Sequence, residues 1–165
     1  MSLPVQISDW FQAKGWTAYP HQLEMVERVS AGQSILLLAP TGAGKTLSSF
    51  LPSLIDLTHT PRTGLHTLYL SPIKALAVDI ARNLETPVSE MNLPISVETR
   101  TGDTPQAKRK RQRSTPPNML MTTPESLELM LSWPDAEKLF GSLKLIIIDE
   151  IHALSGTKRG DLLSL

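Results

Sequence analysis

Five short apolar runs, alternating with stretches of helical spacing, constrain this chain to an α/β fold. The runs are Ser34–Ala39, His66–Ser71, Ile95–Arg100, Asn118–Thr122 and Leu143–Asp149. They are rich in Leu, Ile or Val, as strands buried on both faces must be. Between them, Pro20–Ala31 has Pro in its first turn, Leu23, Val26 and Val29 on one side, and Gly32 as a stop. Lys45–Leu57 carries an interior Pro52, which should bend it. Pro72–Leu84 places Ile73, Leu76, Ala77, Ile80 and Leu84 on one stripe. Pro124–Leu131 begins with Thr122 and Glu125 at capping-box spacing. Such alternation predicts a central, mostly parallel sheet with helices on both faces. In a parallel sheet the loops after the strands share the carboxyl edge, where ligands bind.

Those loops hold the chain's unusual residues. After the first run comes Ala39-Pro40-Thr41-Gly42-Ala43-Gly44-Lys45-Thr46. Glycines in such a loop bring backbone N–H groups onto phosphate oxygens, and the following helix presents its positive end there. Thr41, Gly42, Ala43 and Gly44 would line the phosphates, Lys45 would reach the β/γ-phosphates, and Thr46 would bind Mg²⁺. Ala39 stands where the strict pattern has glycine. The last run, Leu145-Ile146-Ile147-Ile148, ends in Asp149-Glu150. Beside a phosphate loop, Asp149 would hold Mg²⁺ through its water shell and Glu150 would deprotonate the attacking water. ATP and Mg²⁺ are therefore the expected cofactors. Gln22, in Tyr19-Pro20-His21-Gln22, can donate and accept and so could read an adenine edge. Trp10 and Phe11 read as core, whereas Trp16 and Tyr19 could stack on a base. His59 and His66 read as surface or strand-edge residues, and His152 as a coupling residue between the ATP site and a neighbouring loop.

Composition narrows the classes. The 165 residues suit one domain, and the absence of cysteine excludes disulfides, thiol catalysis and thiolate metal sites. No apolar run approaches the roughly 18–20 residues that span a bilayer, and no signal pattern opens the chain, so a cytoplasmic protein is expected. Formal net charge is zero. Between Arg100 and Arg113, however, six basic residues face only Asp103. Alone, Lys108-Arg109-Lys110-Arg111 reads as a solvated face; Lys108–Arg113 is expected on a helix leading away from the sheet edge, adding only peripheral affinity for a polyanion.

Taken together these residues resemble the first motor domain of a superfamily-two DExH-box helicase, a RecA-like P-loop NTPase. Ala39–Thr46 resembles motif I, Asp149-Glu150-Ile151-His152 motif II, and Tyr19-Pro20-His21-Gln22 the Q motif. Ser71-Pro72-Ile73-Lys74-Ala75-Leu76 resembles motif Ia. Thr101-Gly102-Asp103 and Thr122-Thr123-Pro124-Glu125-Ser126 resemble the following strand-contacting motifs. In this family alanine at position 39 is usual. Arg100-Thr101-Gly102-Asp103-Thr104, Asp149–Leu154 and Gly156-Thr157-Lys158-Arg159-Gly160 are most similar to Lhr-type helicases, and within them to the bacterial ligase-associated DNA helicases.

The resemblance implies an ATP-dependent translocase on single-stranded DNA, moving 3′ to 5′, working in repair with other repair proteins and without a membrane. Ser71, Lys74, Thr101, Gly102, Thr123 and Ser126 would touch the tracking strand. It also implies that residues 1–165 are the N-terminal ATP-binding domain, ending in the helix after motif II. The second RecA-like domain, with its arginine finger, would be a partner on the same polypeptide, and Arg159 is not expected to substitute for that finger. Residues 1–165 alone should then bind nucleotide weakly and hydrolyse it negligibly. Backbone contacts carry no base information and no 2′-OH reader is recognisable, so an RNA helicase of the same superfamily stays open. A small-molecule P-loop kinase would leave the Ser-Pro-Ile-Lys and Thr-Thr-Pro-Glu loops without a role. A protein that merely binds nucleotide would leave Glu150 without one.

Overall fold

The computed structural model describes residues 3–40 and 42–154, which divide into two compact units, one of described residues up to 61 with 87–94 and one of 62–86 with 95–154. Thr41, and Arg159 with the Gly156–Gly160 segment, lie outside the described residues.

The first unit contains α1 (Val5–Ala13), α2 (Pro20–Ser30), α3 (Lys45–His59) and the last turn of α4 (Lys74–Glu90). Its core draws on Ile7, Trp10 and Phe11 from α1, Met25 and Val26 from α2, and Phe50, Leu51, Leu54 and Leu57 from α3. Trp10 and Phe11 are thus core residues, and Trp16 is half exposed with its ring edge-on to Trp10 at 5.5 Å. The end of α4 is tied to α1 by the Trp10 indole N–H and the Lys14 ammonium, which donate to the two Glu90 oxygens at 2.7 Å each. Helix α3 runs unbroken through Pro52.

The second unit is built on the sheet. Strands β1 (Thr67–Leu70), β2 (Val97–Arg100), β3 (Met119–Thr122) and β4 (Leu145–Ile148) lie in the order β2-β3-β1-β4, and every pairing is parallel. Leu68 faces Leu120 on one side and Ile146 on the other. Central strands β1 and β3 are buried at every position, as strands covered on both faces must be. One face is covered by α6 (Pro124–Leu131) and α7 (Ala136–Phe140), whose Leu127, Met130 and Leu139 pack with Leu65, Leu68, Leu70 and Leu120. Helix α5 (Gln106–Ser114) carries the basic run, and α8 (Ile151–Leu154) follows β4.

Three expectations are corrected. Ser34–Ala39 is no strand: it carries no strand assignment, and Leu36 and Leu38 are 68% and 84% exposed. Apolar sequence makes a strand only where a neighbour completes the hydrogen-bond ladder, and none does so among the described residues. The N-cap of α6 is Thr123, and Thr122 belongs to β3; the Thr123 hydroxyl bonds the Ser126 hydroxyl at 3.2 Å instead of a backbone N–H. His66 is buried, with Nδ1 2.8 Å from the Thr67 hydroxyl, because the sheet covers both its neighbours.

Candidate functional site

The loop read as a phosphate cradle, described from residue 42 on, belongs to the first unit. Gly44 is the N-cap of α3 in the left-handed conformation, at φ +68°. The left-handed backbone favours glycine there, and a Cβ, 2.9 Å from the Gln22 amide nitrogen, would also displace that side chain. Gln22, 2% exposed, accepts the Tyr19 N–H at 2.9 Å and reaches the Gly44 carbonyl at 3.5 Å. His21 Nε2 lies 3.0 Å from the Ala43 carbonyl, and the Ser48 hydroxyl donates to Gly44 O at 2.9 Å. The carbonyls of this loop are thereby held by α2 and α3, while Gly42 and Lys45 are exposed. Lys45 and Thr46 open α3, whose free N–H groups and positive dipole end favour an anion. Tyr19 is half exposed and stacks on His21, with ring centroids 5.4 Å apart.

In the second unit the parallel order brings four loops to one sheet edge: those after β1 (Ser71–Lys74), β2 (Thr101–Thr104), β3 (Thr123–Ser126) and β4 (Asp149–His152). Lys74 and Gly102 are exposed there, and a Cβ on Gly102 would meet Lys74 Nζ at 3.2 Å. Lys74 Nζ also lies 3.2 Å from both Asp103 carboxylate oxygens. The remaining candidates are buried and shape the loops. The Ser71 hydroxyl bonds the Ile73 backbone at 3.2 Å, the Thr101 hydroxyl accepts Asp103 N–H at 3.3 Å, and Thr123 meets Ser126.

At the end of β4, Asp149 Oδ1 accepts the Glu150 N–H at 2.9 Å, and Oδ2 accepts the Tyr69 hydroxyl at 2.5 Å. Tyr69 is buried on β1, so its donor was not evident from sequence; only the register Tyr69 opposite Ile147 puts it beside the acid two residues on. Burial, and then the Asp149 hydrogen bond, hold the Tyr69 hydroxyl well above the usual tyrosine range, so it stays a donor. Glu150 adopts φ +50°, a left-handed conformation unusual for a side-chain-bearing residue, and its carboxylate lies 3.0 Å from His152 Nε2.

No group of three or more His, Asp or Glu able to hold a metal occurs among the described residues. Hydroxyl and carboxylate oxygens such as those of Thr46 and Asp149 suit Mg²⁺, which keeps several waters and takes other ligands from phosphates. No described helix is long and apolar enough to cross a membrane.

The profile of the DEAD/DEAH box helicase family matches residues 19–165. The Lhr helicase/probable uracil glycosylase of Mycolicibacterium smegmatis is 42% identical over 170 residues, covering 95% of this chain and 11% of that protein. The structure of Mycobacterium smegmatis helicase Lhr bound to ssDNA and AMP-PNP matches with a TM-score of 0.88 at 40% identity, over 98% of this chain and 22% of that one. The DUF1998 helicase MrfA bound to DNA and AMPPNP matches with a TM-score of 0.83 at 32% identity, over 92% of this chain and 21% of that one. This chain therefore spans no more than 22% of the length of any of these three.

Proposed function

This chain belongs to the DEAD/DEAH box helicase family, and we propose that it is the RecA-like ATP-binding domain of a helicase that moves along single-stranded DNA. The observation that carries this reading is the sheet edge of the second unit. There a parallel order gathers an exposed Lys74 and Gly102 with the Asp149-Glu150 pair, which supports giving the first two to the strand and the acids to hydrolysis. Lhr and MrfA structures that hold both DNA and a nucleotide analogue support extending this to DNA.

In this reading the loop Thr41–Gly44, Lys45 and Thr46 bind the ATP phosphates. Gln22, buried against the loop, serves the nucleotide through the loop it holds. Thr46 and Asp149 would hold Mg²⁺, which offsets charge on the phosphates. Glu150 takes the proton of the attacking water, and His152, in contact with that carboxylate, couples it to the neighbouring loop. Lys74 and the Gly102 backbone meet phosphates of the strand, while Ser71, Thr101, Thr123 and Ser126 keep their loops in shape. The rest of the motor, including a second RecA-like domain, is carried by the same polypeptide, and the protein works in the cytoplasm with repair proteins.

The test is strand separation by the full-length protein on partial duplexes with a 3′ or a 5′ single-stranded tail. ATP-dependent release from the 3′-tailed duplex is expected. Failure to separate either substrate in the presence of ATP would overturn the reading.

A further inference from the structure

The arginines of the basic run are engaged with groups of their own unit, Arg111 and Arg113 at its surface. Arg109 donates Nε to the Thr104 carbonyl at 2.7 Å and Nη2 to the carbonyls of Thr101, at 3.2 Å, and Gly102. Arg111 pairs with Glu98 at 2.7 Å, and Arg113 grips both oxygens of Asp135. Arg100, 7% exposed, donates to the Arg109 carbonyl at 3.0 Å, and its guanidinium lies 4.6 Å from the Trp133 ring centre. Arg113 lies 4.7 Å from the same ring. The Gln112 amide donates to Glu98 at 2.8 Å and to the Thr99 carbonyl at 3.0 Å. Helix α5 is therefore anchored along β2, and Arg109 is the group it extends into the loop that follows.

With three of its five N–H donors on these carbonyls, the Arg109 guanidinium gathers them to one point. The loop's own bonds complete the turn: Thr101 N–H to the Thr104 hydroxyl at 2.9 Å and Thr104 N–H to the Thr101 carbonyl at 3.1 Å. The turn so fixed sets Gly102 against Lys74. We infer that Arg109 is a positioning residue for strand binding, preorganising the Thr101–Thr104 loop for the DNA backbone without itself contacting a phosphate. This rests on the reading that Lys74 and Gly102 meet the strand. Without the guanidinium the loop must be ordered at the moment of binding, a cost of about one residue's backbone freedom that weakens affinity roughly tenfold.

The test uses the full-length protein carrying Arg109→Ala, with Arg109→Lys as a second variant that keeps the charge and carries the same test if the alanine variant does not fold. An ammonium lacks the planar fork needed for three carbonyls, so Arg109→Lys should not restore binding. In strand-stimulated ATP hydrolysis, the half-saturating DNA concentration should rise roughly tenfold for both, with turnover at saturating DNA and affinity for a fluorescent ATP analogue unchanged. The slope of log affinity against log salt should stay at the wild-type value, because no phosphate contact is lost. A slope shallower by about 0.7, the loss of one single-strand phosphate contact, would overturn the inference in favour of direct contact. So would wild-type DNA dependence in either variant. Lys74→Ala separates the two levels: it should weaken binding and flatten the slope. If Lys74→Ala does so while Arg109→Ala has no effect, the strand-binding reading stands and the positioning role fails. If Lys74→Ala has no effect, the strand-binding reading fails and takes the positioning role with it.

Discussion

Glu150→Gln in the full-length protein is expected to bind ATP as the wild type does and to hydrolyse it about 10²–10⁴-fold more slowly, the usual worth of a positioned general base. The amide keeps the size of the side chain but cannot accept the water's proton. The residue's placement supports this assignment over a merely solvated strand end. Glu150 is held in a left-handed conformation, its N–H is fixed by Asp149, and His152 touches its carboxylate. A left-handed residue with a Cβ costs roughly 1–2 kcal/mol, which persists where the surrounding contacts fix it. Fluorescent-nucleotide binding and single-turnover hydrolysis, measured on the same preparation, check both halves. Hydrolysis at the normal rate would show that Glu150 is not the base.

Tyr69→Phe is expected to raise the Mg²⁺ concentration needed for half-maximal nucleotide binding by about 10–100-fold, as loss of a hydrogen-bond partner behind a metal-binding carboxylate commonly does. The substitution removes only the hydroxyl that donates to Asp149 Oδ2 at 2.5 Å. With Glu150 N–H on Oδ1, that bond fixes the rotation of the carboxylate. Without it Asp149 turns more freely, and the hold on Mg²⁺ proposed for it should weaken. Because burial keeps the Tyr69 hydroxyl protonated far above neutral pH, the defect should be the same across the neutral range. Titrating Mg²⁺ against binding of a fluorescent ATP analogue reads this apart from turnover. An unchanged Mg²⁺ requirement would mean that Tyr69 serves the fold and not the metal.

Much of this was legible in the chain. Strands β1 to β4 fall inside four of the five apolar runs, because a run buried on both faces has few other ways to fold. Pro20 and Pro124 mark the starts of α2 and α6, since a ring that fixes φ and lacks an N–H suits a first helical turn. The two acids after Ile148 were legible for the same reason: an apolar strand that stops at two carboxylates marks its own end. What stayed hidden depends on contacts far apart in sequence. Ser34–Ala39 has strand composition, yet composition says nothing of a ladder partner. Helix α1 is held by Glu90, some eighty residues away, so its capture by α4 leaves no local trace. Tyr69 and Asp149 meet only through the pairing of β1 with β4. The basic run showed its charge but not its direction: Arg109, Arg111 and Arg113 turn to carbonyls and carboxylates of their own unit.

The most direct test of the central claim is ATP hydrolysis by the full-length protein with and without single-stranded DNA, alongside RNA of the same sequence. A strand-driven motor with Lys74 and Gly102 on the strand phosphates predicts turnover rising to about 1 s⁻¹ or more with DNA, within the ordinary enzyme range; stimulation by RNA alone would assign the strand to RNA instead. Turnover that is the same with and without DNA would contradict it.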